Sequence, residues 1–351
     1  MNFHADVTKS NIEDYLRDYG IIICRIRNSR IKAKQTAVLE MIFANFDNEI
    51  LAVFNGPLGD IKGIVSFFCP RKNLASFKER LYGIGYCYKF YYLDFENETS
   101  CLTQSGSPRG NTDLISVNPL VWKGKKFSIK DFYCQDGKIY EEQSPHNREF
   151  KITGSDGEVK TVFGYRGDGS EYGRRSLPAE DARCMVNLSI PHRNKRIIDP
   201  FAGGGGIISA FRYIEPAGAA ASVDIDPVLK PGLEFYGSAH YVQNSAGVAF
   251  PENSFDSVVT ETPFSANALG DIVSAFNKLY ASLSDNGMYV VMCEKNQSDG
   301  IFSAMDKMGV FLLFSQKIDR KGTDVEISVW CKDKTLCDNM KNFLEALRKI
   351  F

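Results

Sequence analysis

Asp199 lies where an apolar segment meets a glycine-rich run, an arrangement that can hold a ligand. It ends the segment Arg196–Asp199 and leads through Phe201 into four glycines, residues 203–206. Glycine permits a sharp turn and exposes backbone that a Cβ would otherwise cover. A flexible turn without a ligand is the structural alternative, and the position between a strand and a helix disfavours it. The sequence therefore predicts a ligand loop that contains Asp199, Phe201, Gly203 and Gly205.

The register of the glycines indicates which ligand the loop binds. A dinucleotide loop needs G-x-G-x-x-G/A, but Ile208 and Ser209 stand three residues after Gly205 and Gly206. A phosphate-binding P-loop needs Lys-Ser/Thr after the glycines, and none follows here. A carboxylate at Asp199 repels pyrophosphate and attracts a cationic amine. These features favour the methionine end of S-adenosyl-L-methionine.

A second acid, Asp224, ends the next apolar segment, Ala219–Asp224. It is placed to accept hydrogen bonds from both hydroxyls of a ribose, each worth ~1.5–3 kcal/mol. Ile225 follows directly and belongs to the same predicted donor site. Asp226 before Pro227 is typical of a helix N-cap instead.

Strict alternation of helices and short strands must position these motifs. The predicted helices are 177–189, 205–214, 227–238, 269–284 and 300–308, and the predicted strands are 196–199, 219–224, 257–260 and 288–293. Segments 310–316 and 325–331, joined by a turn at 319–323, predict an antiparallel hairpin before a final helix at 334–350. The predicted fold class is α/β, a Rossmann-like methyltransferase sheet with an antiparallel C-terminal hairpin, preceded by an α+β N-terminal domain. The predicted domains are 1–170 and 171–351.

The N-terminal half reads as a small α+β module. A βαβ-like unit is predicted from strand 63–69, helix 73–82 and strand 86–95. The remaining predictions are a helix at 9–19, strands at 21–26 and 50–54, a loop at 104–113, hairpins within 118–166 and a domain boundary at 164–173.

The composition is that of an ordinary globular protein, with 351 residues, 44% hydrophobic and 24% charged. The 42 basic and 43 acidic side chains give a net charge of -1, so a nucleic-acid site must be a local patch. Residues 25–34 hold five basic side chains and residues 123–127 hold three. Each cluster is equally compatible with a solvated face and an RNA contact. The scattered cysteines and histidines predict no metal site, and the lack of a long apolar segment predicts a soluble, cytoplasmic protein without membrane association.

Three motifs together resemble the tRNA guanosine-N2 methyltransferases, an RNA methylase group that usually carries an N-terminal THUMP domain. They are R-I-I-D-P-F-A-G-G-G-G, S-V-D-I-D-P and the segment 175–188. The resemblance covers about residues 172–332, and the N-terminal half has no clear THUMP signature. It implies S-adenosyl-L-methionine as donor and a structured RNA, tRNA above all, as acceptor. It also implies that Pro178 joins the donor site and that Asn244 or Ser245 meets the adenine amino group, where the family often has an acid.

The catalytic D-P-P-Y-type tetrapeptide of that family corresponds here to Glu261, Thr262, Pro263 and Phe264. An exocyclic amine is a poor nucleophile, and two acceptors that hold both N–H bonds favour attack on a sulfonium methyl. Glu261 and the Thr262 carbonyl are expected to be those acceptors, while Phe264 stacks on the base for ~1–3 kcal/mol. The alternative is a strand-end turn with a core phenylalanine. Glu261 is longer by a methylene than the aspartate of the family, and Thr262 replaces its first proline. We therefore expect the two acceptor groups, the Glu261 carboxylate and the Thr262 carbonyl, to be less pre-organised; together with Phe264 they form the acceptor side of the site.

The predicted function is methylation of the exocyclic N2 amine of a guanosine in tRNA. A methyltransferase-like subunit that binds RNA or protein without catalysis is the first alternative. A DNA amino-methyltransferase is the second, although the chain shows no target-recognition domain. RNA is the expected partner, and a small activating protein subunit is a further partner to test.

Overall fold

The structure is a computed structural model that describes residues 3–95, 119–135, 149–153, 159–163, 177–320 and 323–350. The predicted loop at 104–113 and the predicted boundary at 164–173 lie outside the described residues. Within them, no helix is both long enough and apolar enough to cross a membrane.

The N-terminal half forms a seven-stranded sheet in the order β1-β3-β4-β2-β5-β7-β6. Its strands are β1 His4–Ala5, β2 Tyr19–Ile26, β3 Leu51–Val53, β4 Ile64–Pro70, β5 Cys87–Phe95, β6 Leu120–Trp122 and β7 Lys125–Cys134. Its helices are α1 Ile12–Asp18, α2 Lys34–Ala44 and α3 Leu74–Arg80. β2 is central because its isoleucines are buried on both faces.

The predicted βαβ-like unit is present in split form. β4 and β5 each pair antiparallel with β2, which lies between them. They are therefore parallel to each other without being neighbours. The buried helix α2 had no counterpart in the prediction, because its sequence is apolar around most of its circumference and gives no amphipathic signal.

A separate hairpin joins β8 Glu149–Thr153 to β9 Val159–Phe163 in antiparallel register. It lies within the stretch where hairpins are predicted.

The C-terminal half forms a second seven-stranded sheet in the order β12-β11-β10-β13-β14-β16-β15. Its strands are β10 Arg196–Asp199, β11 Ala219–Asp224, β12 Ser238–Val242, β13 Phe255–Glu261, β14 Leu283–Glu294, β15 Phe311–Arg320 and β16 Thr323–Cys331. Its helices are α4 Ala179–Leu188, α5 Gly206–Ile214, α6 Lys230–Phe235, α7 Leu269–Ser282, α8 Lys295–Met308 and α9 Lys334–Ile350. β10 to β14 run parallel, and β16 is inserted antiparallel between β14 and β15. This is the Rossmann-like methyltransferase sheet, so the predicted fold class is confirmed.

Several predicted boundaries were wrong, for example the start of the strand predicted at 288–293, which already begins at Leu283, and the start of the helix predicted at 9–19, which begins at Ile12. The helix predicted at 227–238 ends at Phe235, because Gly237 turns the chain with a φ of 72° into β12. The helix predicted from residue 300 already begins at Lys295. The hairpin ladder continues until Arg320 pairs with Thr323, which leaves a shorter turn than the predicted 319–323.

One of the buried hydrophobic clusters contains residues of both sheets, while two others belong to one sheet each. Phe43 and Phe90 of the N-terminal half belong to the same buried cluster as Met185 and Phe211 of the C-terminal half. Helix α2 packs directly on α4. The division into two domains near residue 170 stays a prediction.

Candidate functional site

The carboxyl ends of β10, β11 and β13 meet at one edge of the second sheet. These neighbouring parallel strands end in Asp199, Asp224 and Glu261. Ligands of open α/β sheets bind outside this edge. The topology therefore brings together the acids on which the sequence prediction depends.

The glycine loop is held in shape by Asp224. One carboxylate oxygen of Asp224 accepts the Gly203 N–H at 2.8 Å, and the other accepts the Asp226 N–H at 3.0 Å. Gly203 and Gly205 have φ values of 46° and 74°, which other residues rarely adopt. A Cβ at Gly203 would meet only the Phe201 carbonyl oxygen, at 4.0 Å, so the loop has open space above it. Gly205 then caps α5.

The carboxyl group of Asp199 is almost fully buried, with the residue 2% exposed. Its Oδ1 accepts the Thr260 hydroxyl at 2.6 Å and the Phe201 N–H at 3.2 Å. Burial raises the pKa of Asp199 to about 7, against the lowering effect of these two hydrogen bonds. Thr260 was missed by the sequence prediction, because it reaches Asp199 from the neighbouring strand, 61 residues further along the chain.

The remaining residues of the predicted donor site lie around this loop. Pro178 is the N-cap of α4, and its carbonyl accepts the Ala182 N–H at 2.9 Å. A Cβ at Gly206 would lie 3.6 Å from the Leu177 Cβ, so the start of α4 borders the glycine loop. Ile225 is 71% exposed beside Asp224.

Asn244 and Ser245 are engaged in local contacts. The Asn244 side-chain oxygen accepts the Ala246 N–H at 2.8 Å. The Ser245 hydroxyl donates to the carbonyl of Pro200 in the glycine loop. These bonds fix the end of β12 against the loop.

The tetrapeptide begins at the last residue of β13. Glu261 forms an ion pair with Arg320 from the end of β15, and both side chains are largely buried. Phe264 is 38% exposed, and the Arg320 guanidinium carbon lies 6.0 Å from its ring centroid. The tetrapeptide therefore presents an aromatic face next to a paired carboxylate.

The backbone at Thr262 is held by hydrogen bonds, although the sequence predicted that it would be less fixed than at a proline. Its N–H donates to the Met292 carbonyl at 2.8 Å, and its hydroxyl lies 3.3 Å from Gln297 Oε1. Gln297 Nε2 donates in turn to the carbonyls of Pro263 at 2.8 Å and Ser265 at 3.0 Å. Gln297 and Arg320 were both missed, because each reaches the tetrapeptide from a distant part of the chain.

The basic run at 25–34 is not a uniform exposed face. Arg30 is 5% exposed and donates to both oxygens of Asp181, at 2.7 and 2.5 Å. The Tyr86 hydroxyl also donates to Asp181, at 2.9 Å. Arg27 donates to the Gly85 carbonyl at 2.7 Å. Arg30 therefore fits neither of the two alternatives given for this run, because its charge is used in a buried ion pair with Asp181 of α4.

Comparisons with known proteins find one protein with a related sequence and solved structures with TM-scores below 0.4. No model of a known protein family matches the chain. A tRNA (guanine(10)-N2)-dimethyltransferase of Methanothermobacter thermautotrophicus is 31% identical over 117 residues, which is 32% of this chain and 34% of that protein. The match thus spans about a third of the relative's length.

Two solved structures are similar in part. A putative RNA methyltransferase from Pyrococcus horikoshii has 17% identity and a TM-score of 0.36, over 44% of this chain and 85% of the other. An S-adenosylmethionine-dependent methyltransferase from Methanosarcina mazei has 10% identity and a TM-score of 0.34, over 40% of this chain and 92% of the other. The fold assignment rests on the strand order described above.

Proposed function

We propose that this protein transfers a methyl group from S-adenosyl-L-methionine to an exocyclic amine of RNA, the N2 amine of a guanosine in tRNA. The observation that carries the proposal is the bond from the Thr260 hydroxyl to Asp199 at 2.6 Å. It ties the candidate donor loop to the residue directly before Glu261. A donor-side acid and an acceptor-side acid therefore occupy adjacent strand ends.

The residues at the carboxyl ends of β10 and β11 suit the proposed donor. Both hydrogen bonds that described residues make to Asp199 end on Oδ1, so Oδ2 is suited to a cationic amine. Each oxygen of Asp224 accepts one backbone N–H. Because an ionised carboxylate has about four lone-pair sites, two remain for ribose hydroxyls. The open space above Gly203 and the exposed Ile225 suit the nucleoside.

The acceptor side of the proposal uses the tetrapeptide. S-adenosyl-L-methionine, when bound, supplies an electrophilic methyl group on a sulfonium. Glu261 accepts one N–H of the target amine and the Thr262 carbonyl accepts the other, which orients the nitrogen lone pair. As the N–C bond forms and the C–S bond breaks, the leaving group departs as a neutral thioether and the surplus amine proton passes to Glu261. Phe264 stacks on the base, since its face is exposed at the same edge.

The choice of RNA, and of tRNA, is supported by the 31% identity to the Methanothermobacter enzyme over about a third of its length. A small activating protein subunit remains a partner to test by co-purification from the native host.

Calorimetry tests the donor assignment. Asp224→Ala should weaken S-adenosyl-L-methionine binding about 100-fold, because two charge-assisted bonds of ~1.5 kcal/mol are lost. Asp226→Ala, at the neighbouring acid, should stay within about threefold of the wild type. An Asp224→Ala protein that binds as tightly as the wild type would contradict the assignment.

For the acceptor, mass spectrometry of tRNA nucleosides from a deletion strain should show one methylated guanosine lost. An unchanged nucleoside profile would argue against tRNA as the acceptor.

A further inference from the structure

The acceptor side has two sources of conformational freedom that precise chemistry does not tolerate. A glutamate has three side-chain torsions, one more than an aspartate, and threonine leaves φ free where proline would fix it. In this structure, Arg320 meets Glu261 and Gln297 meets the segment from Thr262 to Ser265. We propose that Arg320 and Gln297 are positioning residues that fix Glu261 and the Thr262–Phe264 backbone for attack by the target amine. The inference rests on the proposed methyl transfer.

Arg320 contacts the Oε1 oxygen of Glu261. Its Nη1 donates to Oε1, and this bond sets the direction of Oε2, the oxygen that the proposed reaction uses. Arg320 itself is held by its largely buried position at the end of β15. The same guanidinium faces the ring of Phe264, so one cation aligns both the acid and the stacking face.

Charged groups of other elements act on Arg320. Burial lowers the pKa of the Arg320 guanidinium, while the carboxylates of Asp181 and Glu180 raise it and the cation of Arg30 lowers it. These groups belong to α4 and to the N-terminal half. Arg320, on the proposed acceptor side, thereby interacts electrostatically with the junction of the two sheets, which is the buried contact between Arg30 of the N-terminal half and Asp181 of α4.

Gln297 holds the backbone on both sides of Phe264. Its amide is 2% exposed, and its Nε2 uses both hydrogens on the carbonyls of Pro263 and Ser265. Its Oε1 lies within hydrogen-bond distance of the Thr262 hydroxyl. With the bond from the Thr262 N–H to Met292, these contacts substitute for the rigidity of a proline ring.

Single-turnover kinetics separates positioning from general stability. Arg320→Ala and Gln297→Ala should each lower the rate of methyl transfer about 100-fold, the size expected for a displacement near ~1 Å. Donor affinity and the KM for tRNA should stay within about threefold of the wild type. Lys317→Ala on β15 and Asn296→Ala on α8, both exposed, are the matched controls and should leave the rate within the same range.

A double-mutant cycle gives the readout that a purely structural role would not change. In a Glu261→Asp background the shorter acid no longer reaches Arg320. Adding Arg320→Ala to that background should therefore lower the rate of methyl transfer by less than about threefold. Arg320→Lys keeps the charge with one donor group and should fall between the wild type and the alanine variant. Additive losses in the cycle, or a faster Arg320→Ala enzyme, would overturn the proposal for Arg320.

Hydrogen exchange tests positioning without relying on activity. The segment 261–266 should exchange at least about tenfold faster in Gln297→Ala and Arg320→Ala than in the controls, because local restraints are lost. If the wild type binds donor but methylates nothing, the proposed function fails, while the exchange data still decide whether these residues fix the segment. Equal exchange in variants and controls would overturn the inference itself.

Discussion

Asp199 holds its carboxyl group in an almost water-free position at the end of β10, and this makes its charge sensitive to pH. Burial raises its pKa to about 7 without ligand. A cationic amine placed beside it lowers that pKa again, so binding releases a proton. Affinity for the donor must then rise with pH until the free carboxyl is ionised.

The resulting prediction concerns pH 6 to 7. Because the ionised fraction of a group with a pKa of about 7 rises from about a tenth to a half, donor affinity should rise about fivefold. The amine itself, with an ordinary pKa of ~7.7–8.0, stays charged over this range. Calorimetry at both pH values measures the ratio.

Asp199→Asn is the matched control for this prediction. An asparagine oxygen can still accept from Thr260 and Phe201, so the loop keeps its shape. The variant should bind more weakly, with a flat response between the two pH values. A wild-type affinity that does not change with pH would contradict the assignment of Asp199 to the amine of the donor. The same rise in affinity in Asp199→Asn as in the wild type would contradict it too.

At the scale of elements, helix α4 connects the N-terminal sheet to the glycine loop through buried polar contacts. Asp181 meets Arg30 and Tyr86. Buried Glu40 of α2 accepts from Asn187 of α4 at 2.8 Å and from the Tyr86 N–H at 2.9 Å. A shift of the N-terminal half would therefore move the start of α4 and the loop beside it.

Asp181→Ala tests this junction. Removing one partner of a buried ion pair leaves the Arg30 charge uncompensated, so the free energy of unfolding should fall by ~3–5 kcal/mol. Asp14→Ala, which breaks the exposed pair with Arg17, should cost less than about 1 kcal/mol. Urea denaturation measures both, and equal losses in the two variants would contradict the role of the junction.

Local signals in the sequence explain which elements were predictable. The strand ends at Asp199 and Asp224 and the glycine loop are each defined by neighbouring residues, and the structure brings them to one edge. Arg320, Gln297 and Arg30 act across long separations, 59 residues for Arg320 and Glu261 and 151 for Arg30 and Asp181. No pattern along the chain marks such pairs, so the basic run containing Arg30 looked like a surface feature.

At the scale of the whole molecule, the net charge of -1 restricts RNA contact to local cationic clusters. Because the charge of Arg30 is used in the ion pair with Asp181, the turn between β6 and β7 becomes the clearest cationic cluster to test. Lys123 and Gly124 adopt positive φ values there, and a Cβ at Gly124 would meet no atom of the described residues within 4 Å. Lys126 beside this turn is exposed and Lys123 within it is partly exposed.

Salt dependence of tRNA binding measures this contribution. Lys123→Ala with Lys126→Ala should reduce the slope of log affinity against log salt by up to about 2, since each phosphate contact contributes ~0.9. Lys341→Ala with Lys349→Ala, exposed on α9, removes equal charge elsewhere and should leave the slope unchanged. Equal slopes for the two double variants would argue against this turn as an RNA contact.

Methylation of tRNA by the purified chain tests the central claim most directly. With isotopically labelled S-adenosyl-L-methionine, the wild type should place label on the N2 amine of a guanosine, slowly but measurably. Glu261→Ala should abolish the transfer and leave donor affinity within about threefold, because the proposed contact of Glu261 is with the acceptor. A wild-type protein that binds the donor but labels no tRNA would contradict the account and favour a methyltransferase-like binding subunit.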